Sequence, residues 1–212
     1  MVTLLIIRHG FSLGNKQKIF TGQLDVPLDD AGRAQARSIA DYILQNFPVD
    51  GIYSSDLCRA CDTVAPIAEA LNLPVFKTPM LREINEGNWQ GMTFDELASA
   101  FPEKFALHKE NPSVGYYDGG ESYADVFARG SQALEQIARE YDGKTVVIGT
   151  HGGFIRALLH GFHHIPTEKL KVTPPVPNGS VTVATYENRN LTLIQTGYTG
   201  HLTDKTTEEV LR

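Results

Sequence analysis

The chain alternates between continuous apolar runs and stretches where apolar residues recur every three or four positions. Two of the runs, Leu4-Leu5-Ile6-Ile7 and Val146-Val147-Ile148, are short and aliphatic, and lead into Arg8-His9-Gly10 and Gly149-Thr150-His151-Gly152-Gly153. Runs of that length, stopped by glycine, predict strands covered on both faces. Residues 51–53 and 74–77 predict two more short strands. Ala36, Ile39, Ile43 and Phe47 follow helical spacing, with Asp29 or Asp30 as cap and Pro48 as stop, and predict a helix to about Asn46. Leu57, Cys61, Val64, Ala68 and Leu71 mark the buried side of a second helix, capped from Ser54-Ser55-Asp56. Arg59 and Asp62 fall on its other faces, and Pro66 inside it is expected to bend it or free a carbonyl. Ser122 and Asp125 form a capping pair for a helix to about Tyr141, and residues 154–162 form the helix after the second His-Gly run. Residues 180–186 and 191–195 flank a turn at Asn188-Arg189-Asn190 as a hairpin. Residues 11–28, with Gly14, Gly22 and Pro27, read as one long functional loop, and the stretch from Thr199 onward as a polar tail.

Strands alternating with helices give an α/β fold with three layers, read as a single domain over residues 1–212. Residues 91–122, with short charged helices and a loop bearing Tyr116 and Tyr117, are expected to form a helical cap insertion over the ligand face. Strands of an open α/β sheet end at that face. His9 and His151 are therefore expected as neighbours in space, with Arg8 beside them. Two imidazoles and a guanidinium suit an anion, phosphate most of all.

Charge narrows the partners. Nineteen Lys and Arg against 25 Asp and Glu give a formal net charge of −6 with no basic cluster, which argues against nucleic acid or anionic membrane as the main partner. The run Val2 to Ile7 is too short for a signal peptide and is broken by Arg8, and no segment has the length of a membrane span. A cytoplasmic protein is expected, and a homodimer is left open. Cys58 and Cys61 form a C-x-x-C pair, which reads as two small apolar residues one turn apart, since no second ligand pair accompanies them. His160 and His164 are spaced like zinc ligands, but Gly161 stands where a metalloprotease helix carries glutamate, so they read as packing or surface residues. No metal and no cofactor are assigned.

In order along the chain, Arg8-His9-Gly10 with Ser12 and Asn15, Phe20 to Leu28 with Gly32 and Gln35, and Ser54 to Ala60 with Thr63 are followed by three further blocks. These are Leu81-Arg82-Glu83-Ile84 with Gly87, Trp89 and Gly91, then Gly120-Glu121-Ser122, and His151-Gly152-Gly153-Phe154-Ile155-Arg156. The set resembles the histidine phosphatase superfamily, the phosphoglycerate mutase-like proteins. The resemblance implies an α/β/α sandwich with a mostly parallel mixed sheet. It also implies that His9 attacks phosphorus and becomes phosphorylated, while Arg8, Arg59 and His151 surround the phosphoryl oxygens. Asn15 and the Gly152 amide would add donors, Glu83 would act as acid and then base, and Ser12, Thr21 and Gly22 would line the substrate side.

Which reaction follows depends on smaller features. The region after Gly91 lacks the longer insertion with paired arginines of the mutases, and Gly153 and Trp89 resemble the phosphatase branch. A metal-independent phosphomonoesterase acting on a small phosphorylated metabolite is therefore expected. The alternatives are a cofactor-dependent phosphoglycerate mutase, or a catalytically silent phospho-ligand-binding protein. Phe11 and Glu86 depart from the family pattern and are candidate pocket-lining residues; a Glu86 carboxylate facing the site would disfavour highly anionic substrates. Tyr116, Tyr117 and residues 101–108 are the expected selectors of substrate.

Overall fold

A computed structural model describes residues 1–165 and 176–202. Its sheet has six strands: β1 (Val2–Arg8), β2 (Gly51–Ser55), β3 (Val75–Thr78), β4 (Thr145–Thr150), β5 (Val181–Glu187) and β6 (Asn190–Tyr198), in the order β3-β2-β4-β1-β5-β6. β3, β2, β4 and β1 run parallel, while β5 and β6 form the antiparallel hairpin at one edge. The helices among the described residues are α1 (Leu13–Gln17), α2 (Asp30–Asn46), α3 (Cys58–Leu71), α4 (Phe94–Ala100), α5 (Pro102–Glu110), α6 (Tyr123–Glu140) and α7 (Gly152–Phe162).

Side chains of a strand alternate between faces, and β1 uses both. Leu4 and Ile6 join Leu134, Ile137, Phe154 and Leu158 on the α6–α7 side, whereas Leu5 and Ile7 join Ile39, Ile43, Val64 and Ile67 on the α2–α3 side. All four β1 residues are buried, and each contributes about 1.5–3 kcal/mol relative to exposure. That double burial is why β1 reads as a continuous apolar run rather than an alternating one.

The register of the two central strands sets the site. Ile7 lies opposite Gly149 and Arg8 opposite Thr150, and the His9 N–H donates to the Thr150 carbonyl at 2.9 Å. His9 and His151 thus leave adjacent parallel strands side by side. β1 leads to α2 on one face and β4 leads to α7 on the other, so a crevice opens at their carboxyl ends. Gly149 lets α3 approach: a Cβ there would lie 2.8 Å from Val64 Cγ1 and 2.9 Å from Ser54 Oγ.

Three expectations need correction. Residues 11–28 are not one loop, because α1 forms within them on a capping box between Ser12 and Asn15. The second helix is not capped from Ser54-Ser55-Asp56 by side chains; Leu57 is its cap residue, and the carboxylate of Asp25, far away in sequence, accepts the Cys58 N–H at 2.7 Å. Leu71 is exposed and Arg59 is buried, the reverse of the simple stripe, because α3 is covered on two sides. Pro66 stays inside an uninterrupted α3. The Ser122–Asp125 capping box and the hairpin form as expected. Most of the expected polar tail lies outside the described residues. No helix among those described is long and apolar enough to cross a membrane.

Candidate active site

His9 sits just past β1 and is 5% exposed. Its Nδ1 is 2.7 Å from the Gly10 carbonyl oxygen. A carbonyl can only accept, so Nδ1 carries the proton and the neutral ring keeps its lone pair on Nε2. The imidazole lies edge-to-face with His151, ring centroids 5.2 Å apart. Gly10 and the strand end are fixed by Thr63 Oγ1, which accepts the Gly10 N–H at 3.0 Å, and by Asn178 Nδ2, which donates to the His9 carbonyl at 3.1 Å.

Two arginines meet this pair. Arg59 is buried, and donates from Nη1 to the Leu24 carbonyl and from Nη2 to the Gly22 carbonyl, both at 2.7 Å. Those bonds explain the loop from Phe20 to Leu28: it wraps a guanidinium. Gly22 adopts φ +47°, and a Cβ there would strike the Gln90 side chain at 2.2 Å. Burial pulls Arg59 below its ordinary value, opposed first by the charge of Glu83, and a guanidinium so shifted stays charged. Arg8 donates to the Val176 carbonyl at 2.5 Å, and its guanidinium packs against Gly152, where a Cβ would lie 3.1 Å from Cζ.

His151 is fully buried, and its Nε2 lies 2.8 Å from Ser55 Oγ. Burial first, then the charges of Arg59, Arg129 and Arg8, hold it well below the usual histidine range, so it is neutral near pH 7. His151 Nδ1 and Arg59 Nε are both buried without a hydrogen-bond partner. Each such atom costs about 1–3 kcal/mol, a cost that an anion between them would remove.

Glu83 takes the other end of the crevice. Its Oε1 accepts the N–H groups of Ile84 and Phe154, each at 2.9 Å, and its Oε2 accepts that of Gly153 at 3.1 Å. The carboxylate therefore caps α7, a favourable place for negative charge. With Gly153 and Phe154 donating to Glu83, the Gly152 N–H has no intrahelical partner and is free to meet an anion. The segment carrying Glu83 is anchored by Arg129, which donates to the carbonyls of Met80, Arg82 and Glu83 and pairs in fork geometry with Glu121 at 2.8 and 3.0 Å. Thr150 Oγ1 donates to the Leu81 carbonyl at 2.7 Å, and Arg82 forks onto Asp56 at 2.7 and 2.6 Å.

The remaining expected residues play varied parts. Asn15 Oδ1 accepts from the Ser12 N–H, the Ser12 hydroxyl and Asn178 Nδ2 at 3.0, 2.8 and 3.2 Å. Its amide nitrogen is thereby oriented as the remaining donor. Ser12 is buried and spent in that capping box, so it holds Asn15 rather than offering a free hydroxyl. Thr21 rests over Gly14, where a Cβ would meet its Oγ1 at 2.3 Å. Phe11 is half-buried, its N–H donating to Gln35 Oε1 at 2.7 Å, and Glu86 is half-buried at the turn Gly87–Trp89. Tyr117 is buried against Trp89 and does not stand free as a selector; Tyr116 is half-buried. His160 packs on Tyr123 and His164 is exposed. Burial, then Asp25, pushes the Cys58 thiol up to about 12, so it is no ready nucleophile. Among the described residues no group of three or more His, Cys, Asp or Glu is placed to hold a metal ion.

Ser55, Asn178 and Arg129 were not among the sequence candidates. The sequence marks Ser55 only as a candidate helix cap, and nothing local marks the other two.

The chain is similar to known proteins along nearly its whole length. The family model of the histidine phosphatase superfamily (branch 1) matches residues 4–199. Phosphoserine phosphatase 1 of Hydrogenobacter thermophilus is 33% identical over 202 residues, 95% of each chain. A metal-independent phosphoserine phosphatase of Arabidopsis thaliana is 35% identical over 157 residues, 73% of this chain and 66% of that one. The solved structure of YhfR from Bacillus stearothermophilus superposes with a TM-score of 0.89 at 28% identity, covering 95% of this chain and 100% of that one. The chain belongs to branch 1 of the histidine phosphatase superfamily.

Proposed function

We propose that the protein is a metal-independent phosphomonoesterase that hydrolyses a small phosphorylated metabolite through a phosphohistidine at His9. The observation that carries this reading is the His9 tautomer: Nδ1–H is spent on the Gly10 carbonyl, which leaves the Nε2 lone pair for attack beside Arg8, Arg59 and His151. In the first step that lone pair bonds to phosphorus and the P–O bond to the leaving group breaks, its oxygen taking a proton from Glu83. In the second, water attacks phosphorus and returns a proton to Glu83, and the P–N electrons go back to Nε2. Glu83 Oε2 accepts one N–H where Oε1 accepts two, so Oε2 has the lone pair on which that proton is carried. Arg8, Arg59, His151 and the Gly152 amide hold the equatorial oxygens throughout.

Phosphoserine and related phosphorylated small acids lead the substrate classes, since the relatives named above are phosphoserine phosphatases. We take α4 and α5 as the cap. What supports this is their attachment to the site loop: the Phe20 N–H donates to the Met92 carbonyl and Phe105 packs on Phe20 and Trp89. Free Cys58 and Cys61 suit a cytoplasmic setting. The test is phosphate release from a panel of phosphorylated metabolites in EDTA, beside a mutase assay on 3-phosphoglycerate with and without bisphosphoglycerate. Release without primed isomerisation is expected. Primed isomerisation without release would make the protein a mutase, and neither activity would leave a binding module.

A further inference from the structure

His151 presents a choice of tautomer that its surroundings decide. It is fully buried, Nε2 is 2.8 Å from Ser55 Oγ, and Nδ1 has no hydrogen-bond partner. A neutral imidazole bears one N–H, on either nitrogen. Ser55 Oγ already accepts the Leu57 N–H, at 3.3 Å. Among the described residues, the only acceptor for the hydrogen of that hydroxyl is His151 Nε2. Were Nε2 the protonated nitrogen, two donors would point at Ser55 Oγ, the serine hydrogen would be stranded in a fully buried place, and Nδ1 would present a bare lone pair. Both losses are costly in a dry interior.

We propose that Ser55 is a positioning residue, whose hydroxyl donates to His151 Nε2 and so fixes the proton on Nδ1, making neutral His151 a hydrogen-bond donor to the bound phosphoryl group. This rests on the functional reading above and deepens it. Two of the site's imidazoles are then set by the same logic with complementary results. A carbonyl that only accepts makes His9 Nε2 a nucleophile, and a hydroxyl that donates makes His151 Nδ1 a donor. Neutrality matters for the second: burial and the positive groups Arg59, Arg129 and Arg8 oppose its protonation, so the tautomer rather than the charge decides what it offers. Ser55 ends β2, and its own backbone carbonyl accepts from the Cys61 thiol at 3.0 Å, so strand and helix together hold the hydroxyl in place.

The test is the ¹⁵N spectrum of the histidine-labelled enzyme at neutral pH, read with the rates of Ser55→Ala. Wild type should show His151 with a proton-bearing Nδ1 and a pyridine-type Nε2. Ser55→Ala should lose that fixed assignment. Its kcat/KM should fall about 10- to 100-fold, by analogy with the loss of the hydrogen-bond partner that orients a metal-bound histidine. Inhibition by inorganic phosphate should weaken with it. Ser55→Thr, which keeps the hydroxyl, should restore the assignment. A wild-type spectrum with the proton on Nε2 overturns the proposal and needs no variant to fold. A Ser55→Ala enzyme with unchanged tautomer and rate overturns it as well. If wild type releases no phosphate from any monoester, the hydrolase reading fails, while the spectrum still decides the role of Ser55.

Discussion

The Glu83 carboxylate occupies the space that a side chain at Gly153 would need. A Cβ on Gly153 would lie 2.5 Å from Oε1 and 3.1 Å from Ile84 Cγ2, while the Gly153 N–H donates to Oε2 at 3.1 Å. The glycine therefore does two things at once: its N–H, in the first turn of α7, holds the acid, and its missing side chain leaves the acid its place.

Gly153→Ala separates this from helix propensity. In an ordinary helix the change would stabilise by up to about 1 kcal/mol. Here it should push Glu83 off the helix end, lower kcat/KM on alkyl phosphates about 10-fold or more, and give no gain in thermal stability, as followed by steady-state kinetics and calorimetry. A more stable, fully active variant would show that Glu83 is not held by α7.

Replacing the acid itself should sort substrates by leaving group. Glu83→Gln should slow hydrolysis of alkyl phosphates by about 10²-fold or more, and of activated aryl phosphates much less, because only the former need the proton. The amide nitrogen would also face the Gly153 or Phe154 N–H, so the helix cap should weaken by about 1 kcal/mol. Equal slowing on both substrates would remove Glu83 from the acid role.

Arg129 reaches the site only through the backbone of the segment that carries Glu83, yet it should matter. Arg129→Met removes the fork to Glu121 and the bonds to the carbonyls of Met80, Arg82 and Glu83. The pair is mostly buried, so losing one partner should cost about 3–5 kcal/mol, with a drop in kcat/KM from a misplaced Glu83. Denaturant unfolding checks the first and kinetics the second; an unchanged midpoint would contradict the anchoring role.

Stability should depend on pH through His151. The unfolded chain binds a proton there as pH falls through about 6.5, whereas the folded one, with its value held well below that, does not. Unfolding then takes up protons, and stability falls with falling pH by about 1.4 kcal/mol per unit below 6.5 from this group. Asp25 and Asp56, both lowered, act the other way round in origin: they contribute above the ordinary carboxylate range and lose it only in more acidic solution. Melting between pH 7.5 and 5.5 should show the slope in wild type and a smaller one in His151→Asn. A flat wild-type profile would mean that His151 takes up its proton in the fold as readily as in the unfolded chain.

What could be read from sequence followed from where each contact lies. β1 and β4 are legible because burial on both faces makes them unbroken apolar runs, and the His-Gly ends are legible because glycine stops both. The Ser122–Asp125 box is local and therefore legible. The sequence puts Arg59 on an outer face because Leu57, Cys61, Val64 and Ala68 define one stripe. The structure covers a second stripe, Arg59, Thr63 and Ile67, with the loop carrying Gly22 and Leu24. The cap that Asp25 supplies to α3, the cap that Glu83 supplies to α7 and the anchoring by Arg129 all join residues distant along the chain, and one sequence has no periodicity that encodes them. Ser55 was recognised as part of a block, but its partner His151 is fixed only by the register of β2, β4 and β1.

The most direct measurement is rapid-quench trapping of the phosphoenzyme in EDTA, with peptide mapping of the labelled residue. The account predicts acid-labile phosphate on Nε2 of His9, formed and lost fast enough to carry turnover, unaffected by the chelator and absent in His9→Ala, which should keep its fold. Turnover with no phosphoenzyme, label on another residue, or activity retained by His9→Ala would contradict it.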